Sequence, residues 1–129
     1  MQARINGIRT IPTEDEEQIT VMSWAAINSP SHPELKLLHH IPNGGKRSKR
    51  EAAIFRAMGV KAGIPDLFLP CARGKWHGLY VEMKAADGRP TGAQLAMIEA
   101  LREQSYYCAV CYGAGAAIET ITNYLRGAI

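Results

Sequence analysis

Three side chains in a short central stretch have the types and spacing to act on a phosphodiester. Asp66 stands in the run Gly63-Ile64-Pro65-Asp66-Leu67-Phe68-Leu69-Pro70, and Glu82 and Lys84 stand in Leu79-Tyr80-Val81-Glu82-Met83-Lys84. Side chains alternate along a strand. In the second run Leu79, Val81, Met83 and Ala85 therefore fall on one face and Tyr80, Glu82 and Lys84 on the other, with Glu82 and Lys84 roughly 6–7 Å apart. In the first run Asp66 and Phe68 share a face opposite Leu67 and Leu69. If the two runs pair as neighbours, Asp66 lies beside Glu82, and two carboxylates and an ammonium converge on one sheet face.

Such a group suits metal-assisted phosphodiester hydrolysis. Adjacent carboxylates repel and hold a proton between them unless a divalent cation neutralises them. Mg²⁺ prefers a few carboxylates together with waters and phosphate oxygens, and a nearby lysine can orient or activate the attacking water. A Glu-x-Lys triplet is common and on an exposed strand is usually a solvated ion pair. The preceding Pro65-Asp66 and the apolar setting of both runs make it a candidate site.

The elements that must position these groups can be read in order. Residues 1–12 lack periodicity and read as a loose arm, with one domain over 13–129. Thr13-Glu14-Asp15-Glu16 is a capping-box pattern whose early acids suit the helix dipole. The helix it opens carries Val21, Met22, Trp24, Ala25 and Ile27 as an apolar stripe and ends at Asn28-Ser29-Pro30. Leu35 to Ile41 reads as the first strand, with His39 and His40 on opposite faces as structural residues. Pro42-Asn43-Gly44-Gly45 is a turn. Ser48-Lys49-Arg50-Glu51 is a second capping box, opening a helix through Ile54, Phe55 and Met58 that Gly59 stops. Lys46, Arg47, Lys49 and Arg50 oppose the dipole of that helix. Cations, glycines and exposed amide donors at a helix start make a phosphate site, so Asn43, Lys46, Arg47, Lys49 and Arg50 are candidate nucleic-acid contacts. A Walker A loop is excluded because His40 stands where its first glycine would be. Strand 79–85, a helix over 92–104 carrying Leu95, Ile98 and Leu101, and strand 106–112 form a βαβ unit, which predicts parallel strands. Gly113-Ala114-Gly115 leads into a last helix with Ile118, Ile121 and Leu125. The order helix, strand, helix, strand, strand, helix, strand, helix is that of an α/β mixed sheet flanked by helices.

Composition narrows the class. At 129 residues the chain fits one modest core. A net charge of +3 permits a polyanionic partner without demanding one. Three cysteines, an odd count, argue for a reducing cytosol over a secreted disulfide framework. Cys108 and Cys111 lie three apart on a strand, hence on opposite faces, and read as core residues. No apolar signal core opens the chain and no run approaches the ~20 apolar residues of a membrane span, which predicts a soluble cytoplasmic protein.

Gly63-Ile-Pro-Asp66 followed by Glu82-Met-Lys84 resembles the PD-(D/E)XK nuclease signature. The wider text resembles stand-alone proteins of its VRR-NUC branch, common in phages and prophages, through Ile41-Pro-Asn-Gly-Gly-Lys-Arg47, Gly59-Val-Lys-Ala-Gly-Ile-Pro-Asp-Leu67, His77-Gly-Leu-Tyr-Val-Glu-Met-Lys84, Gln94 and Cys111-Tyr-Gly113. The resemblance implies a restriction-endonuclease-like core that hydrolyses DNA with Mg²⁺, or Mn²⁺ in its place, in a bacterial or phage-infected cell. Asp66, Glu82 and the Met83 carbonyl would hold the metal, and Lys84 would position the attacking water. The resemblance also implies an acid from the first helix. The pattern Glu-x-x-x-Glu/Gln falls on Glu14 and Gln18, which favours Glu14, with Glu17 as the rival. Gln94 either caps its helix or supports the site. Similarity to Holliday-junction resolvases implies branched DNA as the substrate and a homodimer, whose two-fold symmetry matches a four-way junction. The rival readings are a non-catalytic DNA-binding module and a nuclease acting on flaps, duplex or RNA. Neither a membrane nor an organic cofactor is expected.

Overall fold

The structure, a computed structural model, describes residues 4–5, 8–9, 11–42 and 48–129. Near the N-terminus β1 (Arg4–Ile5) and β2 (Ile8–Arg9) pair antiparallel as a separate ribbon, inside the segment read as an arm. The main sheet has four strands in the order β3 (His39–His40), β4 (Leu67–Leu69), β5 (Leu79–Lys84), β6 (Tyr107–Tyr112). β3–β4 and β4–β5 are antiparallel, and β5–β6 is parallel, as a helical crossover requires. The helices are α1 (Glu14–Asn28), α2 (Lys49–Ala57), α3 (Gly92–Glu103) and α4 (Ala114–Arg126). This is the mixed α/β architecture expected from the order of elements.

Local chemistry starts three of the helices. Thr13, Ser48 and Thr91 each accept a hydrogen bond from the backbone N–H three residues on, and Glu16, Glu51 and Gln94 each reach back to the cap. α4 has no such side chain of its own: its cap is Gly113, at φ +92°.

One face of the sheet holds the core. Leu67, Leu69, Leu79, Val81, Met83 and Cys111 point into it and are covered by Val21 and Ala25 of α1 and by Ala117, Ile121 and Tyr124 of α4. The Tyr124 hydroxyl donates to the Cys71 carbonyl at 2.6 Å and ties α4 to the end of β4. α3 lies on the other face beside β6, so helices flank both sides. Ile27 and Leu95, expected in apolar stripes, are largely exposed.

The stretch Leu35–Ile41 is corrected. Pro33 to Leu37 form a 3₁₀ helix, and only His39–His40 is strand. Pro33 presets φ at the helix start. Leu35 and Leu38, three apart, are the buried pair, which is the 3₁₀ repeat rather than the alternation of a strand.

Candidate active site

β5 carries Glu82 and Lys84 on the face away from the main core, and both are buried, at 2% and 5% exposure. Leu67 pairs with Val81, so Asp66, just ahead of β4, comes level with Glu82. Its side chain is anchored: Asp66 Oδ2 accepts the Met83 N–H at 2.7 Å. Its carbonyl accepts the Ile41 N–H at 2.9 Å, and His40 Nδ1 lies 2.7 Å from the same oxygen. The two acids from separate runs thus stand side by side, and Lys84 Nζ reaches Glu82 Oε2 at 3.0 Å.

The electrostatics of this group are unusual for a resting surface. Burial, then the Asp66 carboxylate, push the Glu82 carboxyl up to about 7 from an ordinary 4.5, and the Lys84 ammonium only partly offsets them. Burial works against the Lys84 ammonium, but the hydrogen bond and charge of Glu82, with Glu14 beyond, outweigh it and raise its pKa. Lys84 is therefore a held cation, and Glu82 carries a charge that its surroundings oppose.

α1 contributes two acids with different destinations. Glu14 Oε1 lies 3.4 Å from Lys84 Nζ at the solvent edge of the group. Glu17, one residue short of the next turn, points instead at α4: its Oε2 accepts the Ala114 N–H and supplies the cap that Gly113 cannot. A Cβ at Gly113 would stand 2.9 Å from that oxygen, so glycine there leaves room for the acid. Gln18 is partly buried on α1, and among the described residues no hydrogen bond ties it to Glu82 or Lys84. Gln94 makes two contacts. Its Oε1 accepts the Thr91 N–H at 2.8 Å as a cap, while its Nε2 donates to Glu82 Oε2 at 3.0 Å. Gly88, in the turn after β5, is a neighbour that spacing did not single out: a Cβ there would stand 3.4 Å from both Glu14 Oε1 and Lys84 Cδ.

Lys49 and Arg50 are exposed at the start of α2. Asn43, Lys46 and Arg47 lie outside the described residues. Cys108 and Cys111 pair in register with Tyr80 and Met83, hence sit on opposite faces, as their spacing requires. Burial raises both thiols, Cys108 to about 11, which keeps them protonated.

The oxygens present fit a hard divalent cation. Glu82 Oε1 is buried with no hydrogen-bond partner among the described residues, while Oε2 takes both Lys84 and Gln94. A buried acceptor left open beside a second carboxylate is costly unless a cation meets it. The Lys84 carbonyl accepts the Gly113 N–H on the β6 side. Main-chain groups alternate along a strand, so the Met83 carbonyl points with its own N–H toward Asp66. Two carboxylates and a carbonyl are oxygen donors of the kind Mg²⁺ and Mn²⁺ take, with waters completing the shell. Among the described residues no group of three or more His, Cys, Asp or Glu side chains gathers at ligand spacing.

The VRR-NUC domain model matches residues 12–115. A solved structure of a "VRR_NUC domain protein" aligns with a TM-score of 0.78 and 37% identity, over 91% of this chain and 91% of that one. Comparison with curated proteins finds no match. Fold and family together define a nuclease-type DNA-processing module. The chain belongs to the VRR-NUC domain family.

Proposed function

We propose that this protein is a Mg²⁺-dependent DNA endonuclease selective for branched DNA, four-way junctions above all. The observation that carries it is Glu82: a carboxylate buried against Asp66, with Oε1 unpartnered among the described residues and its pKa raised by burial and by Asp66. A non-catalytic binding module has no use for such a group, because burying like charges side by side costs stability and adds nothing to phosphate contact.

In this reading Asp66, Glu82 and the Met83 carbonyl hold Mg²⁺, with Mn²⁺ able to replace it. The ion supplies Lewis-acid polarisation of the scissile phosphate and offsets its developing charge. Lys84, held charged by Glu82 and Glu14, donates to the attacking water or to a phosphate oxygen and stabilises negative charge there. Glu14, at the solvent edge, orients that water through Lys84. Gln94, by its hydrogen bond to Oε2, holds the rotamer of Glu82 and leaves Oε1 as the oxygen that would meet the ion. Lys49 and Arg50, with Asn43, Lys46 and Arg47, grip the DNA backbone. A C₂ dimer presents two such sites to the paired strands of a junction. The three reduced cysteines suit the cytoplasm of a bacterial or phage-infected cell.

Labelled four-way junctions, flaps, duplex and single strands incubated with Mg²⁺ or with chelator test this. Junction cleavage that needs the metal is expected. Cleavage unaffected by chelator, or binding of every substrate without cleavage in Mg²⁺ or Mn²⁺, overturns it.

A further inference from the structure

The face of the sheet away from the main core carries two rows. One is the charged row of Asp66 and Glu82. The other, one side-chain step away along the same strands, is aromatic: Phe68 stacks on Tyr80 with ring centroids 4.3 Å apart, and Tyr106 and His39 meet this pair edge-on. Phe68, Tyr80 and Tyr106 are all only partly buried, while the main core lies on the opposite face. Beside Tyr80 the surface opens into a groove of about 360 Å³, walled by Pro42, Met58, Val60, Ile64 and Tyr80, with Lys61 as its charged residue. Met58 leaves 74% of its surface in water there.

We propose that this groove receives one unpaired nucleobase of the strand being cut, next to the scissile phosphate. The inference rests on the nuclease reading above and adds a preference for branches that offer an unpaired or frayed base. The volume lies at the lower end of small-ligand clefts, ~300–1,000 Å³, and has room for a nucleobase. Apolar walls and an aromatic ring are the means by which proteins hold bases without regard to sequence, since every base has a π-face. Charge complementarity points the same way. Lys61 sits in the groove, and Lys49 and Arg50 open the helix whose far end supplies Met58, so a strand can lay its phosphates on cations while one base turns inward. The groove is also continuous with the site: Tyr80 and Glu82 project from the same face of β5, roughly 7 Å apart. A base in intact duplex reaches such a groove only after unstacking and unpairing. Flaps, single strands and frayed bases at branch points need no such step.

A flap substrate, whose branch point fixes the register, carries a single 2-aminopurine moved position by position through the region around the branch. Protein is titrated in Ca²⁺ or chelator, with 2-aminopurine fluorescence reporting stacking and the anisotropy of an end label reporting affinity. A fluorescence change confined to one or two adjacent positions is expected, and an abasic residue at that position weakens binding about ten-fold. Tyr80 is packed against Phe68 and its removal risks the fold, so Met58→Asp on the exposed wall is the variant of choice. It should abolish the positional signal and make intact and abasic strands bind alike. A flat fluorescence scan, an abasic cost under about two-fold at every position, or a Met58→Asp variant that weakens intact and abasic strands equally overturns the proposal. Cleavage of the same oligonucleotides in Mg²⁺ is scored separately. A protein that shows the positional base effect and never cuts keeps the groove and loses the nuclease reading; one that cuts without a positional base effect loses the groove alone.

Discussion

The Asp66 carboxylate is hydrogen-bonded to the main-chain N–H of Met83, at 2.7 Å, and so is clipped onto β5 between Glu82 and Lys84. The Met83 N–H thus holds one oxygen of Asp66 in place beside Glu82. This bond makes the behaviour of substitutions at Asp66 specific.

Asp66→Asn keeps an oxygen that can accept from Met83 and removes the charge that faces Glu82. Cleavage in Mg²⁺ should fall by roughly a hundred-fold or more, on the scale of removing one preorganised electrostatic group, while the fold is retained. Stability should change in the opposite sense. In the metal-free wild type the Glu82 carboxyl holds its proton up to about 7, against an ordinary 4.5. The folded state therefore binds more protons than the unfolded chain across that window, and Glu82 costs stability progressively as pH rises through it. Asp66→Asn removes one cause of the raised pKa, so thermal unfolding in chelator should show a smaller loss of stability as pH rises from 4.5 to about 7. A steeper loss in the variant than in the wild type contradicts the electrostatic account.

Lys84→Ala should abolish cleavage and leave DNA affinity within about two-fold, because one buried ammonium adds little to a surface that binds mainly through exposed cations. Light scattering should give a mass near twice 14.1 kDa. A mixed dimer with one Lys84→Ala subunit should then nick junctions without resolving them. A monomer that resolves junctions in a single binding event sinks the dimer.

Alanine at both Lys49 and Arg50 should leave two DNA phosphates without a cation. The slope of log K against log salt then flattens by roughly 0.9 for each phosphate no longer neutralised. An unchanged slope makes these residues a solvated face.

Gly63→Ala tests the support of the site from behind. Gly63 sits at φ +84°, and a Cβ there would collide with the Ala93 carbonyl in the first turn of α3. The backbone conformation alone costs about 1–3 kcal/mol in a residue with a side chain. The displaced turn carries Gln94, the donor to Glu82. Both a lower melting temperature and a lower kcat are expected. A variant as stable as the wild type shows that the loop yields without strain.

Much of this was legible in the chain because it is local. A capping box needs only two residues three apart, and the two that the spacing predicts at Thr13 and Ser48 are present, with a third at Thr91 and Gln94. Alternation along β5 likewise puts Glu82 and Lys84 on one face whatever surrounds them. The same alternation places Phe68 beside Asp66 and Tyr80 beside Glu82, so the aromatic row was written in the sequence. That its rings stack, and that a groove opens beside them, follows only once β4 and β5 pair and Met58–Lys61 is brought across from α2.

The choice between Glu14 and Glu17 could not be read from spacing, since the two differ by less than one helical turn and both have a complete explanation as acids near a helix start. The packing of α1 against α4 separates them, sending Glu17 to the uncapped amide of Ala114 and leaving Glu14 for Lys84. In the same way Leu35–Ile41 has the composition of a strand, but Pro33 and the burial of Leu35 with Leu38 turn its first half into a 3₁₀ helix. Sequence by itself determined which residues could share a face, because that depends on backbone periods within one element. Tertiary structure decided which acid meets which cation and which buried oxygen is left open, because those depend on distances between elements that no period within one segment contains.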